Sequence, residues 1–262
     1  MPSKKPVLPI IVLAVLIAGC TTNQIKPVPT LTYTSTLPVA STNTSVPNTV
    51  LPKMTETPSP RRYEFPESMD PSRKYMFYLH GKIIEDQGLN AVSPDYGLYE
   101  YEAILEKLGS YGFVVISEIR QKNSDPIEYA NKVLGQVKSL LDGGVSPKNI
   151  TIIGASKGAE IAILASKLMQ NDGVNYVILG ACHPDNIQYY KQNDISLSGN
   201  ALSIRDSVDE LSGSCDELFS FSEGKGLANH NELILQVGTG HGILYKPMDE
   251  WVLPTVDWAN GK

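Results

Sequence analysis

The chain has 262 residues, enough for one domain of ordinary size with appendages. Hydrophobic residues make up 42% and charged residues 19%, a balance that supports a packed core and excludes a wholly disordered chain. The formal net charge is -6 and no stripe of clustered Lys and Arg occurs, which argues against nucleic-acid binding, since that needs phosphate neutralisation.

The first segment reads as targeting, not fold. Lys4 and Lys5 precede Val7 to Ala18, an apolar run too short to cross a hydrocarbon layer of about 30 Å as a helix. The run closes on Leu16-Ile17-Ala18-Gly19-Cys20, which resembles the bacterial lipobox. The resemblance implies a signal peptide over residues 1–19, with diacylglycerol on the Cys20 sulfur. It also implies an exported protein, lipid-anchored to the bacterial cell membrane on its extracytoplasmic side. An ordinary secretory signal with a chance cysteine is the alternative. Each buried lipid CH2 contributes about 0.8 kcal/mol, so a multiply acylated Cys20 would hold the domain at a surface. Residues 20–61 are rich in Thr, Pro and Ser and poor in large apolar side chains. Such a composition cannot offset the entropy of ordering, and predicts a disordered tether.

From residue 62 short apolar runs alternate with amphipathic stretches. Lys74–His80 is strand-like, and Tyr99–Leu108 has helical spacing. Gly112–Glu118 is a second strand. Pro126–Leu141 is a helix, with Asp125 as its cap and Gly143-Gly144 as its stop. Asn149–Gly154 is a third strand and Ala159–Met169 a strongly apolar helix. Asn175–Gly180, Ala201–Arg205 and Glu232–Val237 are the fourth to sixth strands, and Asp249–Trp258 a closing helix. Strands alternating with helices predict right-handed crossovers and a mostly parallel sheet of about six strands between two helical layers. Ligands of such sheets bind beyond the carboxyl ends of the strands, so the residues just after each strand matter most.

After the third strand comes Gly154-Ala155-Ser156-Lys157-Gly158, and a helix follows at once. Glycines flank a serine in this way when strand and helix approach closely around a strained turn. The serine needs a base. Of four histidines, His241 lies in Gly238-Thr239-Gly240-His241-Gly242, directly after the last strand, among small residues. His230 precedes the predicted sixth strand, at the wrong end. His80 ends the first strand and belongs to a different feature. His183, after the fourth strand, remains a weaker candidate. The base needs an orienting carboxylate. The fifth strand runs into Asp206, Asp209 and Glu210. Asp209, past the strand end, is favoured. Asp206 is the alternative acid, or else caps the turn.

The order Ser156, Asp209, His241, each after a successive strand, resembles the α/β-hydrolase superfamily. The resemblance spans residues 74–262 and is specific at Leu79-His80-Gly81, at the Ser156 turn, at the Asp209 loop and at Gly240-His241-Gly242. It implies a minimal α/β-hydrolase fold, a three-layer α/β sandwich over residues 62–262. It also implies an oxyanion site built from the backbone around Gly81 or Lys82 and from the Lys157 N–H. The reaction implied is acyl transfer, most simply on a small carboxylic-ester or other acyl substrate. A peptidase or amidase with the same triad, or a non-catalytic binding lipoprotein, are the alternatives. The chain departs from the family in three ways. It has little room for two leading strands. It carries His-Gly-Lys where many lipases have a glycine run. Only about twenty residues stand where the family often inserts a cap, so the site should be open.

Cys182 and Cys215 follow the fourth and fifth strands, at one sheet edge, and an exported chain with an even pair predicts a disulfide there. Tyr96, Tyr99, Tyr101 and Tyr245 gather near the predicted site entrance, with core packing the better reading for Tyr99 and Tyr101. Arg120 would bind an anionic group or form a surface ion pair. No metal-ligand spacing and no phosphate loop occurs, so no metal or cofactor is expected, and no obligate protein partner is evident.

Overall fold

The computed structural model describes residues 63–262. The predicted signal peptide, the lipidation site Cys20 and the linker over 20–61 lie outside them. The elements run β1 (Tyr75–Leu79), α1 (Lys82–Gln87), β2 (Val92–Ser93), β3 (Gly97–Leu98), α2 (Tyr101–Ser110), β4 (Val114–Ile116), α3 (Pro126–Asp142), β5 (Ile150–Ala155) and α4 (Lys157–Met169). They continue with β6 (Asn175–Leu179), α5 (Pro184–Gln192), β7 (Gly199–Asp206), α6 (Asp216–Ser222), β8 (Leu227–Leu235) and α7 (Asp249–Ala259).

Six strands form one sheet in the order β4-β1-β5-β6-β7-β8. Every pair in it is parallel. Side chains alternate across the sheet, and the alternation sorts the core into two halves. Tyr75, Phe77 and Leu79 of β1 join Ile150 and Ile152 of β5 on the face covered by α3, α4, α5 and α6. Met76 and Tyr78 join Ile153 and Ala155 on the face covered by α1, α2 and α7. Both faces are buried, which is why β1, β5 and β6 read as unbroken apolar runs. The fold is the three-layer α/β-hydrolase sandwich with the two leading strands absent from the described residues.

The local signals hold where burial enforces them. Asp125 caps α3 by accepting from the N–H groups of Ile127 and Glu128, with Pro126 in the first turn. Ala130, Val133, Val137 and Leu140 form its buried stripe. The edges differ from expectation. The predicted strand 112–118 shrinks to the three residues of β4. The fifth and sixth strands lengthen to Gly199–Asp206 and Leu227–Leu235. β8 is an edge strand with mostly exposed residues, so it carries no apolar run to mark its start. His230 therefore lies within β8, opposite Ala201, rather than before it. The predicted first helix begins at Tyr101, not Tyr99. The short helices α1, α5 and α6 and the β2–β3 hairpin had no clear periodic signal.

Cys182 and Cys215 form a disulfide across 33 residues, with Cα atoms 5.2 Å apart. Beside it the Gly213 N–H donates to Ala181 O at 2.9 Å. The loop between β7 and α6 is thus pinned to the loop after β6. Closing a loop of this length stabilises by about 3–4 kcal/mol in the chain-entropy model. Replacing both cysteines by alanine is expected to lower the urea unfolding free energy by that amount. Equal stability of the variant and the wild type would show that the bridge contributes nothing, and two free thiols in the non-reduced protein's mass spectrum would show that it does not form.

Candidate active site

The turn after β5 is set by backbone contact. A Cβ on Gly158 would overlap Leu79 O at the end of β1, and one on Gly154 would overlap the Gly158 carbonyl. Only glycine lets β1, β5 and the start of α4 come this close. Between them Ser156 adopts φ 53°, ψ -118°, which costs a non-glycine residue roughly 1–3 kcal/mol. Its N–H donates to Leu179 O at 2.9 Å, and its side chain does not cap α4. The serine stands half-buried at the carboxyl edge of the sheet.

His241 reaches the same edge from the far side. It sits in a 3-10 turn over Gly240–Tyr245, after β8. The ring lies on Gly180, the residue after Leu179: a Cβ there would stand 3.2 Å from His241 Cε1. The peptide at the end of β6 therefore carries Ser156 on one residue and His241 on the next. The Asp209 carboxylate is fully buried and its Oδ2 lies 2.8 Å from His241 Nδ1. Asp209 Oδ1 accepts from the Leu211 N–H at 3.0 Å. Burial works to raise the pKa of Asp209, yet the hydrogen bond and charge of His241 outweigh it and hold the carboxyl below its ordinary value. An ionised Asp209 has no proton to give, so in the neutral form of the ring Nδ1 carries the hydrogen and Nε2 presents its lone pair.

Asp206 takes the other role considered for it. From the end of β7 its Oδ2 accepts from the N–H groups of Thr239, at 2.7 Å, and Gly240, at 2.9 Å. It shapes the loop that carries His241 and does not touch the ring. His183 caps α5 by accepting from the Asp185 N–H, and His230 stacks on Phe219 at 4.7 Å, so neither is drawn into the site.

Gly81 approaches the serine from β1. A Cβ on it would lie 3.7 Å from Ser156 Cβ. α1 starts at Lys82 and α4 at Lys157. The first N–H groups of both helices lack a carbonyl four residues back, so no intrahelical bond takes them. The sequence did not reveal α1, although Gly88, its stop with φ 78°, and the Lys82–Asp86 ion pair at 2.9 Å one turn apart were readable signs.

His80 is wholly buried next to this loop. Its Nε2 accepts from the Arg120 N–H at 3.0 Å. A backbone N–H only donates, so Nδ1 bears the ring proton and donates to Gly81 O at 2.8 Å. Burial, then the Arg120 charge, push the His80 pKa down from 6.5 to about 3. Arg120 is itself 2% exposed, so of the two roles weighed for it the ion pair forms, but buried rather than at the surface: its Nε lies 3.3 Å from Glu85 Oε2, and Nη2 donates to His80 O.

The tyrosines divide. Tyr99 and Tyr101 are core: the Tyr99 hydroxyl bonds that of Tyr78 at 2.6 Å, and the Tyr101 hydroxyl bonds Ser117 Oγ at 2.7 Å. Burial pushes the Tyr99 hydroxyl pKa up to about 12. Tyr96, in the β2–β3 turn, stands 6.3 Å from the His241 ring and 5.3 Å from Tyr245, forming a wall beside the histidine.

No protein-family model matches the sequence, and no curated protein matches it. Solved structures do. A single-residue variant of SOBER1 from Arabidopsis thaliana superposes with a TM-score of 0.50 at 13% identity, over 72% of this chain and 99% of that one. Unsubstituted SOBER1 gives 0.49 at 13% identity with the same coverage. A structure described as esterase PE8 gives 0.48 at 10% identity, over 76% of this chain and 95% of that one. At such identities the likeness is one of fold, and the fold is that of the α/β-hydrolases.

The depressed His80 pKa has a measurable consequence. Because the folded pKa lies below the unfolded 6.5, the unfolded chain takes the proton first. The neutral buried ring's contribution is fully present above about pH 6.5 and is lost as pH falls toward about 3. Its share of the loss between about pH 7.5 and pH 5 is roughly 2 kcal/mol. His80→Gln keeps an acceptor for Arg120 but does not titrate. Denaturant unfolding at both pH values is expected to show most of that loss in the wild type and little in the variant. An equal loss in both would rule out His80 as the group responsible.

Proposed function

We propose that the chain is a serine hydrolase that transfers the acyl group of a carboxylic ester to water through Ser156, His241 and Asp209. The observation that carries the reading is the buried Asp209–His241 pair, seated on Gly180 one residue beyond the carbonyl that holds the strained Ser156 turn. Support comes from two separate loops that bear on successive residues at the end of β6, the Ser156 turn on Leu179 and the His241 ring on Gly180.

In this reading Ser156 Oγ attacks the ester carbonyl carbon while His241 Nε2 takes its proton. Asp209 keeps the ring in the tautomer that presents Nε2, and stabilises the imidazolium that forms. The carbonyl oxygen becomes an oxyanion, which receives the N–H groups of Lys157 and of the Gly81–Lys82 segment. The C–O bond to the alcohol breaks and His241 returns the proton to the leaving oxygen. Water then attacks the acyl-enzyme carbonyl as His241 takes its proton, the Ser156 ester bond breaks as that proton passes to Ser156 Oγ, and a carboxylic acid leaves. Tyr96 offers an aromatic wall for the acyl or alcohol part. Asp206 holds the His241 loop in place and moves no proton.

The N-terminal pattern adds a location to this proposal, on sequence grounds alone. Lipidation at Cys20 would hold the domain at the bacterial membrane surface, on a tether of about forty residues, and so outside the cytoplasm. The substrate class proposed is a small ester or acyl compound; the open site does not itself set its size.

A fluorophosphonate probe tests the reading directly. Wild type is expected to label, and Ser156→Ala is not. Folded wild type that fails to label would sink the enzyme; labelling that survives Ser156→Ala would sink the assignment. Against p-nitrophenyl esters, Asp209→Asn is expected to lower kcat by about 10^3–10^4, as loss of the orienting charge does in such triads. Asp206→Asn should cost far less, about tenfold, since it only loosens a loop. The reverse order would exchange the two roles. Faster cleavage of peptide anilides than of esters would favour an amidase.

A further inference from the structure

A second buried carboxylate lies behind the site, and the mechanism above does not use it. Glu85 sits on α1 with a side chain that is fully buried. Its Oε1 accepts from Lys157 Nζ at 2.7 Å and from the Ser124 N–H at 3.1 Å. Its Oε2 lies 3.3 Å from Arg120 Nε. Lys157 Nζ also donates to Ser124 O at 2.7 Å. One acid therefore joins α1, the first residue of α4 and the segment after β4.

We propose that Glu85 is a positioning residue for the oxyanion site: its carboxylate ties together the two helix starts whose first N–H groups flank Ser156. On one side it holds the Lys157 side chain, and Lys157 is the residue whose N–H follows the serine. On the other side the link runs through Arg120 and His80. Arg120 donates to both the ring and the carbonyl of His80. The His80 ring in turn donates to Gly81 O. The peptide from Gly81 to Lys82 is planar and trans, so its N–H points opposite to its carbonyl. Holding Gly81 O against His80 therefore aims the Lys82 N–H away from that ring.

A purely structural role is the competing account. Buried ion clusters seldom stabilise a fold better than apolar packing of the same volume, because desolvation offsets the attraction. This cluster, moreover, touches both segments that supply the donors in the proposed mechanism. An oxyanion donor acts through placement, and an error near 0.5 Å is enough to weaken it. Fixed charges with directional partners supply that placement where a short helix of six residues could shift.

This inference rests on the serine-hydrolase reading, and its test separates the two. Lys157→Met keeps the N–H of residue 157 and leaves the Glu85–Arg120 pair intact; Glu85→Gln removes the charge from the centre of the cluster. Both are assayed with p-nitrophenyl butyrate, with an alkyl boronic acid that forms a tetrahedral adduct on the serine, and by thermal unfolding. For Lys157→Met we expect kcat to fall about 10- to 100-fold, KM to stay within about twofold, boronate affinity to fall with kcat, and the melting temperature to hold. Glu85→Gln should lose at least as much kcat, and if it does not fold the Lys157→Met result decides alone. A folded Lys157→Met with wild-type kcat and boronate affinity overturns the inference and leaves the hydrolase reading standing. Loss of kcat that follows loss of thermal stability, with boronate affinity intact, overturns it also. An inert wild type overturns both.

Discussion

Backbone pressed against backbone at the end of β5 is the constraint from which the site follows. Gly158 lies against the Leu79 carbonyl and Gly154 against the turn that begins α4. Neither position has space for a methyl group. That contact brings β1, β5 and α4 together with no side chain between them, and forces Ser156 into its positive-φ turn. The strain is sustained because β5 is wholly buried and the inward side of α4 packs against it, so neither can relax around the turn.

Once that turn is fixed, parallel topology does the rest. Every strand of the sheet ends at the same edge, so the loops after β1, β5, β6, β7 and β8 converge there. The loops are then locked by separate means. The disulfide and the Gly213–Ala181 hydrogen bond hold the segment after β7 to the one after β6. Asp206 gathers the N–H groups of the His241 loop, while Asp209, three residues on, reaches the imidazole. Two acids of similar chemistry divide the work by position: the one still in the strand faces backbone, the one past its end faces the ring.

Among the described residues, the buried charged side chains Glu85, Arg120, Asp206 and Asp209 stand at this end of the molecule. Glu85, Arg120 and His80 are buried within one network, next to a core of Ile, Val, Leu and Tyr. Burying them costs desolvation, which directional hydrogen bonds offset only when nearly every donor and acceptor is matched. The His80 ring is matched at both nitrogens, which sets its tautomer, whereas Arg120 Nη1 is buried without a hydrogen-bond partner.

What the sequence determined by itself was whatever produces a periodic or conformational signature. Unbroken apolar runs marked β1, β5 and β6, because a strand covered on both faces needs apolar residues at every position. Asp125-Pro126 marked the start of α3. The glycines around Ser156 and around His241 marked turns where backbone approaches backbone. The start of edge strand β8 was misplaced and helix α1 was missed, since a half-exposed strand and a six-residue helix leave weak periodicity. Which of Asp206 and Asp209 faces the histidine was a matter of three residues in one loop, and only the packed structure decided it. The buried pairing of Glu85 with Arg120 stayed hidden for the same reason. They are 35 residues apart, and nothing local distinguishes a buried, paired acid from one on a solvated helix face until the chain between them has folded.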